Sequence, residues 1–257
     1  MAQIKMKYGG AKKPLQIIFT SSQTYTIPSG YKSMDVFVVG GGASGNPGTI
    51  RKYTDYNIYT AGNGGSGGFT KTFKDVALTS DNKEVLVTIG SGGERPTAFI
   101  GISGGDTSIN YSSISYTAGG GVGNASDGII AGGSGGGRGA FAPGAGGSGA
   151  VYGGNGGNGG QGGKNQTQVL KGQGTTTTAF EENTGTKYAA GGGGGDVSYR
   201  GSGYGLGGDY GGGNGGVYDN YVYPTDGTPN TGSGGGGNGS RNGGGISVGS
   251  YVSSLPA

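Results

Sequence analysis

Residues 153–163 read GGNGGNGGQGG: two glycines and one amide side chain, three times over, closed by a further glycine pair. A strict period of three without proline fits neither the 3.6-residue turn of an α-helix nor the alternation of a strand. It fits the left-handed, three-residue turn of a polyproline-II-like helix. At about 3.1 Å per residue the stretch would form a rod of roughly 34 Å. Three-fold symmetry puts glycine on two edges of the rod, where a neighbour can come to backbone distance, and Asn155, Asn158 and Gln161 on the third. The chain is therefore expected to be organised around a bundle of such polyglycine-II helices.

Glycine runs also serve as flexible linkers. Leu, Ile, Val and Phe supply 41 of 257 residues, below the roughly 20% that marks chains unable to build a core. The high net charge that accompanies disorder is absent, at +3. The 71 glycines each cost about 0.5–1 kcal/mol of order relative to alanine, against a typical net stability of about 5–15 kcal/mol. Close packing can return that cost through backbone hydrogen bonds and Cα–H···O contacts. The phase-locked repeats and an organised apolar half favour packing over disorder.

That apolar half is N-terminal, since 13 of the 14 isoleucines precede residue 131. Without cysteine or histidine, a disulfide framework, the usual zinc sites, and thiol or imidazole catalysis are excluded. The start MAQIKMKYGG has no apolar h-region, and no window approaches eighteen apolar residues. Neither a signal peptide nor a membrane span is expected, and synthesis in a cytosol follows. The sequons at Asn124, Asn165 and Asn238 then carry little weight, because N-glycosylation needs a secretory route.

In residues 1–13, Ile4, Met6 and Tyr8 alternate with Lys5 and Lys7, a strand with one basic face. This suits an edge strand of the domain or an arm that adds to a partner's sheet, which makes Ile4, Lys5, Met6, Lys7 and Tyr8 candidates for partner attachment. Residues 15–20 and 23–27 read as a hairpin-like pair. Met34, Val36 and Val38 alternate with Asp35, Phe37 and Val39 and run into a glycine turn at 40–42. Beyond a polar insertion at 43–61, Phe69 and Phe73 lead to Val76 and Leu78. EVLVTIG at 84–90 is the strongest strand, and the pair 107–111 and 113–117 ends in another glycine triplet.

The succession TYTIPSGYKSMDVFVVGGG (24–42), GGSGGFTKTF (64–73), EVLVTIGSGG (84–93), GGDTSI (104–109) and ISYTAGGG (114–121) resembles the glycine-rich domain found in phage tail-fibre and virion proteins. The resemblance covers roughly residues 23–125, with a closing strand GISVGSYV at 245–252. A similar pairing of jelly-roll strands with polyglycine helices occurs in the glycine-rich region of anaplastic lymphoma kinase, which bears disulfides. The GGX stretches resemble the polyglycine sandwich of adhesins that tip the long tail fibres of T-even-like phages. There, loops between the rods touch the host receptor.

From residue 132 onward rods and loops alternate. Rods are expected at 132–139, 144–149, 153–163, 191–195, 201–216 and 232–245, with loops at 164–190 and 217–231. Long loops on a rigid scaffold are where binding sits. Tyr218, Tyr221, Tyr223, Phe180 and Tyr188, and a second set, Tyr53, Tyr56 and Tyr59, place amphipathic rings among Ser, Thr, Asn and Gly, the mix that recognition loops favour. The same rings could instead pack over the rods. Stacked rings with amides suit a host-surface saccharide or protein. GNGGSG at 62–67 matches a dinucleotide fingerprint by chance, with no helix pattern behind it. A charge of +3 is too small for nucleic acid. Glu181, Glu182, Asp209, Asp219 and Asp226 lack the spacing of a metal site or a catalytic pair.

The expected fold is all-β: a jelly-roll-like β-sandwich base over 1–130, closed by a strand at 245–253, carrying a polyglycine-II helix bundle with long projecting loops over 131–244. The resemblance implies a non-enzymatic virion surface protein without cofactor, a tail-fibre adhesin that binds host receptor through its loops and other virion proteins through its N-terminal arm. It would insert in no membrane, and virion fibres are habitually homotrimers. The alternatives are a capsid head fibre or decoration protein, a glycine-rich structural or cell-surface protein outside phage, and, more distantly, an ice-binding protein.

Overall fold

The computed structural model describes residues 1–9, 13–52, 57–79, 83–94, 96, 100–123, 134, 136, 141–143, 174–183, 185–196, 205–217 and 222–239. The GGX tract at 153–163, the rod at 144–149, the tyrosines at 53, 56, 218 and 221, and the closing strand at 245–253 lie outside them. The described fold is all-β apart from two short 3-10 turns, Gly174–Thr177 and Ala179–Glu181. Eleven strands run β1 (Ala2–Tyr8), β2 (Leu15–Phe19), β3 (Gln23–Thr26), β4 (Tyr31–Val39), β5 (Thr49–Lys52), β6 (Asn57–Thr60), β7 (Thr70–Ala77), β8 (Glu84–Thr88), β9 (Thr107–Tyr111), β10 (Ile114–Ala118) and β11 (Phe141–Pro143). They form two four-stranded antiparallel sheets, β2-β1-β4-β7 and β10-β9-β8-β3, and a small third sheet, β11-β6-β5.

Alternation decides what each sheet buries. Ala2, Ile4, Met6, Met34, Val36 and Val38 of the first sheet share one core with Val85, Val87, Ile109, Tyr111 and Ala118 of the second. Each large apolar side chain there contributes about 1.5–3 kcal/mol by leaving water. On β8 the intervening Glu84, Leu86 and Thr88 point to solvent, as expected of an antiparallel sheet wet on one face.

The first sheet is covered on both faces. Phe37 and Val39 point away from the main core and form a second one with Met1, Phe180 and Ala189. Residues 174–189 lie over this face: Phe180 and Tyr188 set their rings 6.2 and 5.5 Å from Phe37. Polar contacts fix the cover, from Gln3 Nε2 donating to the Tyr188 hydroxyl at 3.0 Å to ion pairs Lys5–Glu182 at 2.8 Å and Lys74–Glu181 at 2.9 Å.

Two expectations from the sequence are corrected. β1 is neither an edge strand nor a free arm. It lies between β2 and β4 with both edges hydrogen-bonded, and Ile4 and Met6 are fully buried. Lys5 pairs with Glu182, Lys7 bridges Asp35 and Asp75 at 2.8 Å each, and the Tyr8 ring rests 3.9 Å from that of Tyr31. β1 therefore has no edge left to add to a partner's sheet. Nor do β2 and β3 form a hairpin: β2 pairs with β1 and β3 with β8, so residues 20–22 cross from one sheet to the other. The β9–β10 hairpin does form, with Ser112 and Ser113 at its turn in the left-handed region (φ 48° and 67°), as primed hairpin turns require.

The glycine triplets that follow the strands are not turns. They run straight on from β4, β8 and β10 into an array of extended segments that are not β-strands. A strand in a sheet has two hydrogen-bonded neighbours; segment 40–46 has five, namely 62–68, 90–93, 101–105, 119–123 and 232–238. In segment 232–238 the partner changes with each residue and returns every third. The carbonyls of Gly232, Gly235 and Asn238 accept from Gly68, Gly65 and Gly62, while the amides of Gly235 and Asn238 donate to Ala43 and Asn46. The amides of Gly234 and Gly237 donate to Ala190 and Gly193, and that of Gly236 donates to Thr225. The array thus draws on both sides of residue 130.

Glycine is required here by distance. A Cβ on Gly65 would lie 2.1 Å from the Ala43 carbonyl oxygen, on Gly192 2.0 Å from that of Gly235, and on Gly234 2.1 Å from that of Gly65. Neither partner can yield without losing a backbone hydrogen bond elsewhere in the network.

Candidate recognition surface

At the side of the array away from segment 40–46, three extended pieces form an outer layer. Segments 205–208 and 212–217 are joined by a turn at Asp209–Gly211, with Gly212 N–H donating to Gly208 O at 3.0 Å and Gly215 N–H to Gly205 O at 2.9 Å. Val217 and Val222 exchange backbone hydrogen bonds of 2.8 and 3.1 Å. The chain then returns along 212–217: Thr225 N–H donates to Asn214 O at 3.0 Å, and Asn214 N–H donates to Thr225 Oγ1 at 2.8 Å. Thr231 Oγ1 and Ser233 Oγ tie the next turn to Thr228 O and Tyr210 O.

Val217 is buried in this lattice, and four other large side chains lie on its outside. Tyr223 is 54% exposed and Leu206 53%, with Val222 and Tyr210 also exposed. The Lys187 ammonium sits 5.3 Å from the centre of the Tyr210 ring, a cation–π contact. Partial desolvation pushes the Asp226 carboxyl up to about 6. The result is a set of rings and aliphatic groups, flanked by hydroxyls and amides, on a backbone cross-linked by hydrogen bonds.

The candidate residues separate accordingly. Tyr223 stands on this surface. Phe180, only 5% exposed, and the partly buried Tyr188 pack in the second core. Tyr59 lies in β6, paired with Ile50 and Ala142. Tyr53, Tyr56, Tyr218 and Tyr221 lie outside the described residues. The sequence reading passed over Leu206, Tyr210 and Val222. Their signal is isolation: in GLGGDYGGG (205–213) a lone large side chain must point outward, because the inward edges admit only glycine.

Among the described residues, no three or more Asp and Glu are grouped to hold a metal ion, and no helix is long and apolar enough to cross a membrane. A family model for a glycine-rich domain matches residues 18–250. No match was found among curated proteins.

Proposed function

Because the chain belongs to the glycine-rich domain family, we propose that its array is a bundle of polyglycine-II helices on a jelly-roll base, and that it displays a recognition surface on a phage particle. The three-residue return of hydrogen-bond partners along 232–238 supports the helix assignment, since this helix has three residues per turn and makes all its hydrogen bonds to neighbours. The protein is read as a non-enzymatic tail-fibre or tail-tip adhesin that contacts a host-surface saccharide or protein. The observation that carries this reading is the exposure of Tyr223, Val222, Leu206 and Tyr210 on a rigid scaffold, the arrangement in which binding loops operate at low entropic cost.

A second reading, a capsid head fibre or decoration protein, draws on Phe180 and Tyr188, which serve packing and leave fewer rings for a receptor. One experiment separates the two: binding of the labelled protein to intact bacterial cells, compared with Tyr223→Ala and with a variant whose residues 218–221 are replaced by a short glycine-serine turn. The adhesin reading expects saturable binding that falls at least tenfold in both variants at unchanged melting temperature. Binding to no cell type by a protease-resistant protein would favour the structural role.

A further inference from the structure

Most glycines of the array have a backbone carbonyl about 2 Å from where a Cβ would stand. Gly119 does not. The three atoms nearest to a Cβ placed on it all belong to side chains: Phe69 Cδ2 at 3.4 Å, Asp106 Oδ1 at 3.7 Å and Phe69 Cε2 at 4.0 Å. Its φ is outside the left-handed region as well, so neither packing nor backbone conformation calls for glycine here. The missing side chain leaves a notch with room for one carbon, a ring edge on one side and a carboxylate oxygen on the other.

The notch is accessible and its walls are fixed. Phe69 is 40% exposed, and Asp106 is exposed too. The Phe69 amide donates to Gly119 O at 2.8 Å and its carbonyl accepts from the Gly40 amide at 2.9 Å, which ties the backbone of the ring to the floor of the notch. The Gly120 amide donates to Asp106 Oδ1 at 2.9 Å. That bond aims the carboxylate and leaves Oδ2 to accept from a ligand.

Along the same face the second sheet continues as an uncharged polar strip. Thr107, Ile109 and Tyr111 are buried, so Ser108 and Asn110 of β9 point away from the core. Their partners in register on β10 are Thr117 and Ser115, whose hydroxyls lie 3.0 Å apart. Residues 107–118 include no charged side chain, and successive ranks on one face are about 6.8 Å apart. A ring offers a surface to the C–H face of a pyranose, and a carboxylate accepts from sugar hydroxyls in charge-assisted hydrogen bonds. The carboxylate repels an acidic sugar, while the strip beyond it gives a cation nothing further to bind.

We propose that Phe69, Asp106 and Gly119 form a binding site for an uncharged hexopyranose unit. Its apolar face lies on the Phe69 ring, its edge enters the notch over Gly119, and its hydroxyls donate to Asp106. The next unit of a glycan chain runs over Thr117 and Ser115. The site is independent of the outer recognition surface: segment 119–123 is hydrogen-bonded to residues 41, 69 and 104, whereas the outer layer is bonded to 191–196 and 234–237.

The test is a titration of the ¹⁵N-labelled protein with the methyl pyranosides of glucose, galactose and mannose, with sodium glucuronate and argininamide in parallel at matched ionic strength. At least one glycoside should give saturable shifts in the millimolar range at the amides of Phe69, Asp106, Thr117, Gly119 and Gly120, and glucuronate and argininamide should bind at least tenfold more weakly. Gly119→Ala fills the notch without touching backbone, so it should lose at least tenfold in affinity at a near-parental melting temperature. Asp106→Asn keeps an oxygen for the Gly120 amide and should lose as much, while Tyr223→Ala should bind as the parent. No saturation by any glycoside, glucuronate or argininamide binding as tightly, parental affinity in folded Gly119→Ala or in Asp106→Asn, or loss of binding in Tyr223→Ala would each overturn the proposal.

Discussion

The sandwich and the glycine array meet along one edge and are held together by opposite means. In the sandwich a strand has at most two hydrogen-bonded neighbours, and specificity comes from the side chains that interlock between the sheets: Ile4, Met34, Val36, Val87 and Ile109, all fully buried. In the array a segment such as 40–46 has five neighbours, and specificity comes from the side chains that are missing. The first design tolerates loss of volume poorly; the second tolerates gain of volume poorly. Strands that begin as the first continue as the second, so β4 passes from Val39 to Gly40 without changing direction and the two regions share one backbone lattice.

The sharpest way to break the comparison is to add volume where the array has none. Gly234→Val would drive a branched side chain into the Gly65 carbonyl, 2.1 Å from its Cβ. Overpacking in a side-chain core costs about 1–3 kcal/mol because side chains can shift. Here the obstruction is backbone on every side, so the variant should fail to fold or aggregate, seen as loss of the cooperative thermal transition. A soluble Gly234→Val protein with a near-parental melting temperature would contradict this picture of the array.

Removing volume from the sandwich has a smaller effect. Ile109→Ala, at a fully buried position between the sheets, should lower stability by about 2–5 kcal/mol and leave the protein folded, as measured by denaturant unfolding. Ser and Thr substitutions on the wet face of β8 or β9 would stay within about 0.5 kcal/mol of the parent.

A pH titration sharpens the contrast further, with the smallest effect. Burial raises the phenols of Tyr25 and Tyr116 above 10.0, and hydrogen bonds to Asp35 and then Asp75 raise Lys7 above 10.5. Each group holds its proton to higher pH folded than unfolded. Its contribution is therefore fully present below the unfolded value and is lost as pH rises through the folded one. Thermal melts should show a declining midpoint above about pH 10, and the decline should be shallower in Lys7→Met. All three groups belong to the sandwich.

Much of the sandwich was legible in the sequence. The alternation in 84–88 and the two-faced apolar run at 34–39 (MDVFVV) mark strands, because a period of two maps directly onto the faces of a sheet. Alternation gives a strand's faces but not its partner, which is why adjacent β2 and β3 read as a hairpin although they belong to different sheets. The cover over the first sheet was only half visible. Phe37 and Val39 announce an outer face that needs burial, but nothing local ties them to Phe180 and Tyr188 some 140 residues away. Those rings therefore read as recognition residues.

The array was legible only in part. GGX periodicity pointed to rods at 191–195, 201–216 and 232–245, and their described parts, 191–195, 205–208, 212–216 and 232–238, lie in the array, whereas 153–163 lies outside the described residues and segments 40–46 and 62–68 were not expected to take part. Glycine triplets after strands carry no side-chain pattern, so a turn and a straight continuation look alike in sequence. Only the carbonyls at about 2 Å from a Cβ placed on Gly40, Gly41, Gly90, Gly93 or Gly120 tell them apart. On the candidate surface, Tyr223 was found by composition, while Leu206 and Tyr210 follow from the rule that a large residue in a packed glycine tract faces out.

The most direct test of the account is native-state amide hydrogen exchange at the glycines of the array, read residue by residue by NMR. If backbone hydrogen bonds to several neighbours hold segments 40–46, 62–68, 191–196 and 232–238, then Gly65, Gly192, Gly234 and Gly237 should exchange as slowly as Val87 and Ile109, near the rate set by global unfolding. Exchange of these glycines at the rate of an unstructured chain, with the sandwich amides still protected, would contradict it and reduce the array to a tethered linker.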